Sequence, residues 1–125
     1  MVYYPCERLV NGMCSKNTLE LLLKETAGGL RGFFGDKLSG VILYGSYARG
    51  DYDDESDIDV MAVVDMNKNE LAAYRRPVCN YSCQLDLKYD VVLSIKLQDK
   101  ETFDRWGTVL PFFQNVKRDG VPVNG

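Results

Sequence analysis

The segment from Val41 to Val64 constrains the fold of this chain more than any other. It begins with Val41-Ile42-Leu43-Tyr44, an apolar run that suits a strand buried on both faces. Gly45-Ser46 follows at once, a turn-prone pair. The segment closes with Asp57-Ile58-Asp59 entering a second apolar run, Val60-Met61-Ala62-Val63-Val64. Side chains at i and i+2 of a strand share a face, so Asp57 and Asp59 stand side by side. Two such carboxylates repel each other unless a cation lies between them. The fitting cation is magnesium, a hard ion taken by one or two carboxylates plus the phosphate oxygens of a substrate. The Gly45-Ser46 turn, one strand away, can offer backbone N–H groups to those phosphates. Together these features predict a metal-nucleotide site on a pair of strands.

Composition narrows the chemistry further. The 125 residues suit a single domain, 1–125, with one core. The net charge of −3 argues against a broad basic face for DNA or RNA, so extended nucleic-acid binding is not expected. No apolar run approaches the length of a membrane span. The first residues show no basic segment leading into an apolar one, so a cytoplasmic protein is expected. The chain has no histidine. That removes Ser-His-Asp triads, His general bases and His-based zinc hydrolases together. Carboxylates, metal ions, Lys, Arg or Cys must carry any catalysis. Cys6, Cys14, Cys79 and Cys83 lack the spacing of zinc knuckles and are read as free thiols.

Residues 1–14 read as an irregular lead-in. Asn17 and Glu20 form a candidate capping box for a helix carrying Leu19, Leu22, Leu23, Ala27, Leu30 and Phe34 and ending near Gly35. The first strand is expected over 40–45 and the second over 57–64. Between them lie a turn with a short helix over 45–50 and an acidic loop, Asp51 to Glu55. Asn67 or Asn69 can cap a helix over about 69–85, which Pro77 breaks or kinks unless the helix proper begins there. A third strand is expected from Tyr89 to Leu97, then short helices over 100–105 and 108–118, and a last strand within 120–123. Strands mixed with helices at this spacing predict an α/β or α+β sheet with helices packed on it.

Gly45-Ser46, then Ala48-Arg49-Gly50, then Ser56-Asp57-Ile58-Asp59-Val60 resemble the signature of the minimal nucleotidyltransferases of the DNA polymerase beta-like superfamily. The likeness is strong over residues 38–64. A softer one covers Pro111 to Val121, which is similar to the tail of small bacterial members. The resemblance implies the nucleotidyltransferase fold, a mixed sheet with the active site along one edge of its first strands. It implies a magnesium-dependent transfer of a nucleoside monophosphate, AMP from ATP, to a hydroxyl on a protein or small molecule. Two magnesium ions would be held by Asp57, Asp59 and a third carboxylate on the next strand. Asp90, at the head of an apolar run, suits that place better than Asp86. Gly45 and Ser46 would take the nucleotide phosphates. Arg49 would either reach those phosphates or pair with a nearby Asp. Asp51, Asp53, Asp54 and Glu55 read as a solvated loop, and Ser56 as a cap on the strand start. Short members of the family act with a separate helical partner protein, including toxin–antitoxin pairs in which the transferase is the antitoxin-like half. The alternative is a nucleotide- or partner-binding module that retains the motif with little or no turnover.

Overall fold

The computed structural model describes residues 16–53 and 56–123. The expectations for residues 1–14, with Cys6 and Cys14, and for Asp54 and Glu55 lie outside the described residues. Helix α1 spans Lys16–Phe34 and a 3-10 turn at Gly35–Lys37 leads into β1, Leu38–Tyr44. A single-turn helix α2, Ser46–Arg49, precedes β2, Ile58–Val64. Then come α3 (Lys68–Ala72), α4 (Arg75–Tyr89), β3 (Leu93–Asp99), α5 (Lys100–Trp106), α6 (Pro111–Asp119) and β4 (Val121–Pro122).

The four strands form one mixed sheet in the order β3-β2-β1-β4. β1 runs antiparallel to β2 and β4, and β2 runs parallel to β3. The parallel pair is joined by α3 and α4, as a parallel crossover requires a long connection. Pleating divides the side chains between two faces. On one, Val41, Leu43, Ile58, Val60, Ala62, Val64, Leu93 and Leu97 form the main core with Leu22, Leu30 and Phe34 of α1 and Val78 and Leu85 of α4. On the other, Met61 and Val63 pack with Phe103 of α5 and with Phe113 and Val116 of α6. The near-continuous burial of β2 matches a central strand covered on both sides.

The helical boundaries have local causes. Asn67 caps α3: its side chain accepts the Glu70 N–H at 2.8 Å and the Glu70 carboxylate accepts the Asn67 N–H at 3.1 Å. The expected single helix over 69–85 is two, because Pro77 sits in the first turn of α4, where its missing N–H costs no intrahelical bond. Helix α1 already includes Lys16, so Asn17 lies within it instead of capping it. Gly29 in the middle of α1 has a packing reason: a Cβ there would run into the ring of Tyr81, whose hydroxyl donates to the Glu25 carbonyl at 2.7 Å. The third strand starts at Leu93 and not at Tyr89. Tyr89 belongs to α4, its hydroxyl donating at 2.6 Å to Glu25 of α1, and Asp90 ends the helix in the left-handed conformation (φ 56°, ψ 53°).

Candidate active site

The site lies where β1 ends and β2 begins. The register pairs Tyr44 with Asp59, and Asp59 with Ser94 of β3. Asp59 alternates with Met61 and Val63, so it shares their face of the sheet, next to Tyr44, on which Phe112 of α6 packs edge-on with centroids 5.8 Å apart. Asp57 is exposed just ahead of β2 and Asp59 is half-buried within it. Burial raises the Asp59 carboxyl above the usual carboxylate range, the neighbouring Asp57 charge adds to this, and Arg49 opposes it. Tyr44 is raised as well, by burial first and then by Asp59. A half-buried carboxylate pushed up by a second carboxylate is a pair short of positive charge.

Gly45 brings the turn onto this pair. Its backbone (φ 77°, ψ −156°) lies in a region that only glycine occupies without strain. A Cβ at this position would also strike the Asp59 carboxylate. The chain can therefore pass directly over Asp59 only because residue 45 is glycine. The turn of α2 closes through Ala48 and Arg49 N–H groups donating to the Gly45 carbonyl, each at 3.1 Å, and Gly50 ends it with φ 84°. The N–H groups of Ser46 and Tyr47 belong to the first turn, which has no intrahelical acceptors to offer them. Tyr47 is buried and stacks on Tyr52 with centroids 4.2 Å apart, which pins the acidic loop to α2. Ser56 ties the end of that loop, its Oγ accepting the Asp53 N–H at 3.0 Å and donating to Asp53 Oδ1 at 3.2 Å. Arg49 pairs with Asp51, Nε to Oδ2 at 3.2 Å, with both side chains about half exposed. Of the two roles left open for Arg49, this geometry displays the pairing with an Asp.

The structure thus gathers Gly45, Ser46, Asp57 and Asp59. It places Asp90 off the sheet, exposed at the end of α4, with Ser94 holding the strand position beside Asp59. Asp86 has a structural task, its Oδ1 accepting the Leu93 N–H at 2.7 Å where α4 turns into β3. Sequence reasoning passed over Tyr44, Ser94 and Lys96. The cavity beside the carboxylates, about 650 Å³, is lined by all three together with Asp57 and Arg75. The alternation Val92-Ser94-Lys96 was the available signal, once the strand's neighbour was known.

Among the described residues no group of three or more Cys, Asp or Glu forms a self-sufficient metal cage. The donor set is two carboxylates on one face, beside a turn open to phosphate. That fits magnesium, which keeps part of its shell for substrate oxygens and water, and does not fit a structural metal.

A model of the family described as the nucleotidyltransferase domain matches residues 23–112, taking in β1, the turn, both carboxylates and β3. The chain belongs to the nucleotidyltransferase family. This nucleotidyltransferase is 35% identical over 104 residues to a protein of Methanocaldococcus jannaschii named "Putative protein adenylyltransferase", covering 81% of the present chain and 93% of that one. A second protein of that organism with the same designation is 38% identical over 73 residues, or 58% of this chain and 72% of its own. A crystal structure described as a toxin–antitoxin with AMP-PNP superposes with a TM-score of 0.52 at 21% identity, over 82% of this chain and 73% of that one. The last is a likeness of fold. The mixed sheet with helices on both faces is that of a nucleotidyltransferase, and the protein is an enzyme of that class. No described helix is long and apolar enough to cross a membrane.

Proposed function

We propose that this nucleotidyltransferase moves AMP from ATP to a hydroxyl of a protein acceptor, with magnesium bound at Asp57 and Asp59. The observation that carries the reading is the contact at Gly45: the turn that would receive phosphate lies directly against one of two adjacent carboxylates. The protein-adenylyltransferase naming of two relatives supports AMP as the group moved and protein as the acceptor. The toxin–antitoxin likeness suits a separate partner protein as that acceptor; in this reading the present chain would be the antitoxin-like half.

In this reading Ser46, through its hydroxyl and N–H, holds the outer phosphates of ATP. Asp57 and Asp59 are the magnesium ligands, one ion or two. Magnesium so held would neutralise phosphate charge and polarise the α-phosphate toward attack. Arg49 is released from Asp51 to meet phosphate, at small cost because the pair is solvated. Asp90 is assigned the third carboxylate. It lies two residues before Val92, whose carbonyl accepts the Ile58 N–H at 2.9 Å, and so stands at the Asp57 end of the sheet. There it takes the proton of the attacking hydroxyl. Asp86 is the poorer choice because its carboxylate is held by Leu93. A cytoplasmic setting, where ATP and magnesium are plentiful, completes the proposal.

The test is transfer of label from α-phosphate-labelled ATP to protein, with magnesium and then with excess chelator. Wild-type enzyme is expected to label an acceptor only with magnesium. Asp90→Asn should lower the rate about 10²–10⁴-fold, the usual worth of a positioned general base. Asp86→Asn should stay close to wild type. Ser94 in the sheet position beside Asp59 favours one rival, a binding module without turnover. Tight ATP binding with no transfer to any acceptor would establish that rival.

A further inference from the structure

β3 is an edge strand, and its outer side is only partly used. The Ile58 N–H donates to the Val92 carbonyl, which fixes the backbone of Val92, Ser94 and Lys96 toward β2. Leu93, Ile95 and Leu97 therefore turn their N–H and C=O groups outward. At Leu93 both are taken by α4: its N–H donates to Asp86 Oδ1 and its carbonyl accepts from Ser82 Oγ, each at 2.7 Å. Nothing among the described residues takes those of Ile95 and Leu97. The cavity beside the active site runs along this edge, lined by the consecutive residues Val92 to Leu97, so both pleat faces and the edge border the same space. Asp57 and Tyr44 line it as well. Arg75 of α4 lines it on one side of the edge and Lys96 on the other. Both are exposed and neither has an ion pair among the described residues.

We propose that the open edge of β3 is where the acceptor protein docks, as an extended, acidic segment that adds a strand to the sheet. This rests on the reading of the enzyme as a protein adenylyltransferase and names how its substrate is held. Ile95 and Leu97 supply two donors and two acceptors to the added backbone, the usual source of affinity in strand addition. Arg75 and Lys96 select carboxylates on either face of the added strand. A segment laid along β3 lies two strand spacings, about 10 Å, from β2, and a long hydroxyl-bearing side chain on it reaches toward the carboxylates through the cavity that Asp57 also lines. A second copy of this chain is the poorer occupant. Antiparallel self-pairing that uses Ile95 and Leu97 equally would set Lys96 directly opposite Lys96, and like charges so placed repel.

The probe is a synthetic octapeptide with glutamates on both faces of an extended strand, Val-Glu-Glu-Val-Ser-Glu-Glu-Val, compared with the same peptide carrying lysine in place of glutamate. It is titrated into the isotopically labelled protein without nucleotide, so the result is independent of whether transfer occurs. Amide resonances of Ile95 and Leu97 are expected to shift with the glutamate peptide, with at least tenfold weaker binding of the lysine peptide. Lys96→Glu and Arg75→Glu, surface changes that leave the fold intact, should reverse the preference. Ile95→Pro removes one edge donor and should weaken binding tenfold or more; its unfolding midpoint is measured alongside. Equal binding of both peptides, shifts located elsewhere, or indifference to Lys96→Glu would overturn the proposal. So would a wild-type dimer that dissociates on Ile95→Pro, which would give the edge to a second copy.

Discussion

Gly45 is the residue at which the backbone of the turn and a functional carboxylate come into contact. Two separate requirements fall on it, a positive φ and the absence of a Cβ facing Asp59. Gly45→Ala violates both and is expected to lower stability by about 1–3 kcal/mol. The displaced Asp59 should also cost most of the activity, so chemical denaturation and a transfer assay on the same variant read the two effects separately. Wild-type stability would mean the turn relaxes freely and Gly45 is an ordinary hinge. The composition of this turn was legible from the sequence, because glycine, serine and the acidic pair are all explicit. Tyr44 was not, since an aromatic ending an apolar run reads as core until its partner across the sheet is known.

The joint between α4 and its neighbours shows what escaped at the level of elements. An apolar run from Val91 to Ile95 with Tyr89 ahead of it looks like one strand, but the chain cuts it at Asp90. The deciding contacts come from far away in sequence: the Tyr89 hydroxyl and Lys88 Nζ both reach Glu25 of α1, at 2.6 and 2.9 Å. Local pattern carries no trace of a partner on another helix. Burial and then the hydrogen bond to Glu25 push the Tyr89 hydroxyl up to about 12. Tyrosine titrates near 10 when unfolded, so the neutral form is favoured by folding. Its stabilisation is complete below pH 10 and is lost as pH rises toward 12. The bond to Tyr89 and then that to Lys88 lower Glu25, whose contribution holds above its unfolded value and fades as acid titrates it. Tyr89→Phe should therefore be less stable than wild type at pH 8, with a difference that shrinks by pH 11 in urea unfolding. Wild type keeps some alkaline sensitivity from Tyr44 and Tyr81, also raised by burial. A constant difference across that range would remove the Tyr89 hydroxyl from the ties between α1 and α4. At the other end of the joint, Asp86→Ala strips the acceptor from the Leu93 N–H and is expected to cost about 1–3 kcal/mol. Ser82, which holds the Leu93 carbonyl, should then be less well ordered by amide exchange.

At the scale of the whole molecule, one sheet separates two tasks. Its α1/α4 face is a continuous apolar core, and its other face is covered by α5 and α6 from Met61 and Val63 across to Ile42 and Tyr44. The carboxylates stand at the end of that second face. The strands flanking the acidic loop were readable because both are apolar and the loop between them is short. The sheet order was not, because it depends on β4 pairing with β1 across the length of the chain. The account therefore rests on Asp57 and Asp59 acting together with a metal-bound nucleotide. The most direct measurement is the thermal unfolding midpoint with saturating ATP, in magnesium and in excess chelator, for wild type and for Asp59→Asn. A ligand that binds only the folded state stabilises it by about 2.7 kcal/mol at a hundred times its Kd. The account predicts a rise of several degrees for wild type with ATP and magnesium, little with chelator, and little for Asp59→Asn in either. Equal rises with and without magnesium, or an undiminished rise in Asp59→Asn, would contradict it.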